Sequence, residues 1–145
     1  MKFYNPINFF KYIKYYVGGL GLLRKSEYSD AIFTLQKSLQ YAPKNNLVIY
    51  NLNKYIGIAY CLDKQFEKGK ECLLNAEKIR IVEFNDGMDS ELFCFLWIAY
   101  DTEENLKKAK EYYRLAIKNY KKIDELTKID FISSRLIKID KRENE

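Results

Sequence analysis

The side chains able to do chemistry in this 145-residue chain are three cysteines, a scatter of carboxylates and one basic run. Cys61, Cys72 and Cys94 are odd in number, lack Cys-x-x-Cys spacing, and each falls in an apolar helical context. That pattern reads as reduced, buried thiols serving as small hydrophobes in an intracellular protein. Histidine is absent, which removes the commonest metal ligand and the commonest general base together, so zinc sites and histidine-based triads are excluded. No pair of carboxylates stands in a recognisable catalytic setting. Gly18, Gly19 and Gly21 lie inside a predicted helix, whereas a phosphate-cradling loop would sit between a strand and a helix. The chain therefore reads as a binding protein with no catalytic residue, cofactor or metal.

Two concentrations of charge could recognise a partner. Residues 107–122 carry seven cationic side chains against Glu111 alone, a candidate for RNA, although a solvated helix face is the preferred reading. Glu83, Asp86, Asp89, Glu91, Asp101, Glu103 and Glu104 are the one acidic concentration, and elsewhere the two signs are interleaved in a chain of net charge +5. Near the start, Lys11 and Lys14 interrupt an aromatic stretch and leave nine uncharged residues from Tyr15 to Leu23. Nine residues are too few to span a bilayer, and no small-residue cleavage site follows, so a cytoplasmic protein is expected. Packing against the next helix is the preferred use of this segment over lying on a membrane surface.

What positions these groups is helical. Two prolines and six glycines in a chain that is 48% apolar and 31% charged leave little punctuation for a β fold, and the length suits one domain over residues 1–140 with a frayed tail at 141–145. Asn5 and Pro6 make a cap and a first helical residue, opening a helix to about Leu23. Its three close glycines each weaken it by roughly 0.5–1 kcal/mol relative to Ala, and close approach of another helix is the natural compensation. With Ser26 as its expected cap, the second helix sets Tyr28, Ala31, Ile32, Leu35, Leu39 and Ala42 on one face, and Pro43 ends it.

A third helix, about Leu47 to Leu62, is apolar nearly all round, so neighbours are expected on two sides. Asp63 is the expected cap of a fourth helix through Phe66, Gly69, Leu73 and Ala76. Asn85 to Gly87 forms a turn, and Asp89 or Ser90 can cap a fifth helix through Leu92, Leu96, Trp97 and Tyr100. Asp101 and Glu104 have capping-box spacing, with Thr102 as the other candidate, before a sixth helix carrying Leu106, Ala109, Tyr113 and Ala116. Asp124 can cap a last helix with Leu126, Ile129, Ile132, Leu136 and Ile139 on one stripe, suited to closing an open helical end.

Laid over one another, these segments repeat. Ala31, Gly69 and Ala109 are each preceded by twelve residues by Gly19, Gly57 and Trp97, and Leu22, Tyr60 and Tyr100 come three residues after those. Tyr28, Ala31, Leu35 and Ser38 then match Phe66, Gly69, Leu73 and Ala76, and Leu106, Ala109, Tyr113 and Ala116, with Pro43 ending the first unit. This resembles the tetratricopeptide repeat, in which small residues let paired helices approach and large ones fill the groove between them. Trp97 stands where a small residue is expected and Ser38 where Ala usually sits. The anchors are 38 and 40 residues apart, longer than the family's usual spacing, with the extra residues assigned to turns at 43–46 and 82–89.

The resemblance implies an all-α, right-handed α-solenoid of about three antiparallel helix pairs plus a C-terminal capping helix. It also implies that the first helix of each pair lines a concave groove for a peptide or helix. By that resemblance the groove residues are Tyr16, Leu20 and Leu23, then Lys54, Ile58 and Cys61, then Glu91, Cys94, Ile98 and Asp101. The subgroup that clamps a chaperone's C-terminal carboxylate uses Lys, Asn and Arg at set positions. Tyr16, Leu20, Tyr55, Glu91 and Phe95 occupy them here, which argues against that function. The expected role is a protein-interaction module, an adaptor or small chaperone. The alternatives are an immunity protein or antitoxin that blocks a bacterial toxin, and RNA binding through residues 107–122.

Overall fold

A computed structural model describes residues 4–84, 89–102 and 105–117, together with Ser134, Lys138 and Lys141, which are helical and exposed. The described residues form six helices and no strand: α1 (Pro6–Arg24), α2 (Tyr28–Tyr41), α3 (Asn46–Leu62), α4 (Phe66–Glu83), α5 (Ser90–Thr102) and α6 (Leu106–Ile117). They fall into two compact units, Met1–Gly87 and Met88–Glu145. The first holds the pairs α1/α2 and α3/α4, with α2 also packed on α3, and the second holds α5/α6. The expected last helix apart from Ser134 and Lys138, the turn at 85–87 and most of the tail lie outside the described residues.

Each pair closes on the positions that repeat in sequence. A Cβ added at Gly19 would lie 2.6 Å from Leu35 Cδ2, and one at Gly57 would lie 2.7 Å from Leu73 Cγ and 3.0 Å from the Gly69 carbonyl oxygen. From the other side, a Cβ at Gly69 would come 2.6 Å from Cys61 Sγ. Gly19 and Gly57 are thus notches that each admit a leucine from the partner helix. Burying such a leucine is worth about 1.5–3 kcal/mol, which outweighs the roughly 0.5–1 kcal/mol lost by placing Gly in a helix. In the third pair the same two positions are Trp97 and Tyr113, whose rings meet edge-on at 5.3 Å between centroids. Ring-on-ring packing there replaces the notch. Ser38, in the place of the usual Ala, is fully buried and donates its hydroxyl to the Tyr12 carbonyl at 2.9 Å.

The turns inside the pairs share one construction. After α1, Glu27 N donates to Leu22 O and Ser26 N to Leu23 O. After α3, Gln65 N donates to Tyr60 O and Lys64 N to Cys61 O. This crossed pair of bonds is the Schellman ending of a helix, and it requires a left-handed residue, here Ser26 and Lys64, both at φ 62°. Asn105 N donates to Tyr100 O in the third pair in the same way. Several sequence-expected caps are therefore corrected. Ser26 and Asp63 do not cap α2 and α4, because they belong to the ending of the preceding helix, and the N-cap residues Glu27 and Gln65 make no side-chain cap bond. Asp101 and Thr102 are still in α5, and Asn105 caps α6 by accepting from Lys108 N.

The remaining starts follow their sequence signals. Asn5 Oδ1 accepts from Ile7 N at 2.9 Å with Pro6 behind it, Asn45 Oδ1 accepts from Leu47 N and Val48 N, and Asp89 Oδ1 accepts from Leu92 N. Ala42 is extended because the following proline excludes the helical region, so α2 ends at Tyr41. Val82 and Glu83, assigned above to a turn, are the last residues of α4.

Three stability predictions come from this geometry. Gly57→Ala should lower the unfolding free energy by about 1–3 kcal/mol, because its Cβ meets backbone that cannot rotate away. Gly21→Ala should raise it by about 0.5–1 kcal/mol, because nothing lies within 4 Å of the added atom. Urea denaturation of both variants tests the contrast. Lys64→Gly, which removes a side chain from a left-handed backbone, should raise stability by about 1 kcal/mol in the same assay.

A candidate partner-binding face

In the first unit α1 and α3 present a run of aromatic residues. Tyr12 stacks on Tyr16 at 5.9 Å, and Tyr16 meets the Tyr55 ring edge-on at 6.4 Å. Lys54 Nζ lies 4.8 Å from the centre of the Tyr55 ring and 5.8 Å from that of Tyr50, which in turn packs edge-on against Phe84 at 5.4 Å. The floor of this run is a buried cluster of Tyr12, Leu35, Leu52 and Ile56, on which Tyr16, Leu20 and Tyr55 rest half-buried. A cation over a ring attracts its electron-rich face, so Lys54 holds Tyr55 in place while its charge is satisfied within a mostly apolar setting. The arrangement can offer flat, half-exposed aromatic surface to an apolar side chain.

The groove residues expected from the repeat divide by exposure. Tyr16, Leu20, Leu23 and Glu91 are half-buried, whereas Lys54, Ile58, Cys61, Cys94, Ile98 and Asp101 are buried. Cys61 is fully enclosed and its sulfur sits against Gly69, so it belongs to the packing between α3 and α4. The structure brings Tyr16 and Leu20 together on one cluster and joins Tyr16 to Lys54 through Tyr55. Tyr55 is among the positions the resemblance assigns to the carboxylate clamp but not among the expected groove residues, and Tyr50 is in neither set; both flank Lys54 on α3.

In the second unit α5 is buried from Leu92 to Ala99, and Phe93 and Tyr100 both stack on Tyr112 of α6. Of the acidic concentration, Asp89 and Asp101 are buried, Asp89 as a helix cap, while Glu83 is exposed; residues 86, 103 and 104 lie outside the described residues. Of the basic run, Lys107, Lys108, Lys110 and Arg114 are exposed, with Lys108 paired to Glu111 at 3.5 Å, and residues 118–122 lie outside the described residues. Among the described residues no group of three His, Cys, Asp or Glu side chains could hold a metal, and no helix is long and apolar enough to cross a membrane.

The three thiols are free. Burial pushes Cys61 and Cys94 up to about 12 and Cys72 up to about 11, with the neighbouring Cys72, Glu91 and Glu71 respectively adding to the shift. A thiol held protonated is a poor nucleophile. Iodoacetamide at pH 8 should therefore leave Cys61 and Cys94 unmodified in the folded protein and alkylate all three in denaturant, as read by mass spectrometry. Because the unfolded thiols ionise near their ordinary value, stability should be full below about pH 9 and fall as pH rises from there toward 12.

No family model matches the chain, and no curated protein matches it in sequence. Solved structures do match its shape. The Hsp90 co-chaperone Cns1 from Saccharomyces cerevisiae (delta69) superposes with a TM-score of 0.68 at 15% identity, over 98% of this chain and 45% of that one. This chain thus spans under half the length of that structure. The second TPR domain of human RPAP3, solved in complex with the HSP70 peptide SGPTIEEVD, superposes with a TM-score of 0.60 at 21% identity, over 85% of this chain and 98% of that domain. With the six helices of the described residues in three pairs, two of them closed at the repeat's own small and large positions, the chain has the tetratricopeptide-repeat fold.

Proposed function

We propose that this protein is a non-catalytic interaction module that holds an apolar peptide or helix against the first helices of its pairs, in an adaptor or small-chaperone role. The observation that carries the reading is the half-exposed run of Tyr16, Leu20 and Tyr55 across α1 and α3, fixed from below by buried packing and from the side by Lys54. Rigid aromatic side chains contribute contact area at little entropic cost, which suits them to recognition. Leu23, half-buried one turn further along α1, extends the same surface. The match to a TPR domain solved with a bound peptide supports a peptide-sized partner. The partner itself is read as apolar, since Tyr16, Leu20, Tyr55, Glu91 and Phe95 replace the cationic and amide side chains that clamp a terminal carboxylate.

Two measurements test this reading. Titration with the peptide SGPTIEEVD should give no saturable binding below about 1 mM, a ceiling of roughly 4 kcal/mol. A photo-crosslinking amino acid placed at Leu20 should capture one or more partners in the native host, and the same group at the exposed Phe33 of α2 should not. Equal capture at both positions would refute the assignment of the face.

A further inference from the structure

The side of α1 turned away from its own partner helix carries a second surface. Ile7, Phe10 and Val17 are 63%, 72% and 62% exposed and lie, with Lys14 and Gly21, on one stripe at three- and four-residue spacing. The 38-residue register that superposes Gly19 on Gly57 places Phe10, Lys14, Val17 and Gly21 over Val48, Leu52, Tyr55 and Ala59 of α3. On α3 that stripe is a stacking face. Leu52 and Ala59 are fully buried, and Val48 and Tyr55 pack on the cluster formed with Tyr12 and Leu35 of the preceding pair.

On α1 the equivalent stripe keeps the apolar knobs and the small residue but has a lysine at the central position. Gly21, with open space within 4 Å, leaves room for another backbone to come close. Lys11, Lys14 and Arg24 are the charged residues of α1, which contains no carboxylate. Two α1 helices set face to face would oppose these like charges, so a second copy is disfavoured. A bilayer would take the knobs and cations but has no use for the glycine or for the stacking register.

We propose that this face of α1 docks an amphipathic α-helix of another protein, one whose apolar stripe is flanked by carboxylates, with an acidic side chain opposite Lys14. The docked helix takes the place that α2 takes on α3, with Phe10 and Val17 as knobs and Gly21 as the point of closest approach.

The test uses the full chain, labelled with ¹⁵N, and two synthetic 18-residue amphipathic helices that share one leucine stripe and differ in carrying Glu or Lys on its flanks. The Glu-flanked peptide should bind, shift the amides of residues 7–24, and bind at least tenfold more tightly than its Lys-flanked twin. Phe10→Ser with Val17→Ser should weaken it at least tenfold while the circular dichroism of the protein stays unchanged. Lys14→Glu should reverse the preference between the peptides. Absence of binding, shifts confined to other helices, or indifference to Lys14→Glu would overturn the proposal. So would either rival occupant: co-sedimentation with phosphatidylserine vesicles that the Phe10/Val17 variant abolishes while neither peptide binds, or a concentration-dependent dimer that the same variant dissolves.

Discussion

The first unit depends on one contact made twice, a leucine of the second helix entering the space left by a glycine of the first. Leu35 at Gly19 and Leu73 at Gly57 fix how near, and at what height, the two helices of a pair meet. Once that height is set, much else is determined. The left-handed residue that closes each first helix falls at the same distance from the notch, Ser26 seven residues after Gly19 and Lys64 seven after Gly57, so the turns are identical in bonding. The half-exposed aromatics of α1 and α3 are set on the side of each first helix that the notch does not use, with their bases on the buried cluster that includes Leu35 and Leu52.

The repeat was legible because it is written in size as well as in polarity. A helix that alternates polar and apolar faces could pair in several ways, but a glycine and a leucine separated by sixteen residues, found twice, leave one register. The departures from the pattern also turn out to be local solutions. Ser38 uses its extra oxygen to bond the Tyr12 carbonyl, and Trp97 meets Tyr113 as one ring against another. The caps were less legible. Ser26 and Asp63 have the composition of helix starts, yet the turn is built from the end of the preceding helix, and a serine or lysine in a left-handed conformation carries no mark in the sequence comparable to a glycine.

The candidate face was legible only in part, for a physical reason. Helical spacing says which residues share a side of a helix, but exposure depends on what the neighbouring helices cover. Ile58 and Cys61 share α3 with Tyr55 and were grouped as groove residues, yet both are buried, Cys61 against Gly69. Tyr55, outside that group, is half-exposed, with Tyr16 and Lys54 meeting it from the sides. Amphipathicity alone could not have separated these cases.

Trp97 has a consequence beyond the packing of its pair. It is the single tryptophan of the chain, it is fully enclosed, and its indole nitrogen has no hydrogen-bond partner among the described residues. The protein therefore carries an intrinsic optical reporter placed in α5, against Tyr113 of α6. Tryptophan emission follows the loss of one helix pair, while far-ultraviolet circular dichroism follows all of them. Whether the two signals coincide during unfolding shows directly whether the two compact units melt as one cooperative body or as two.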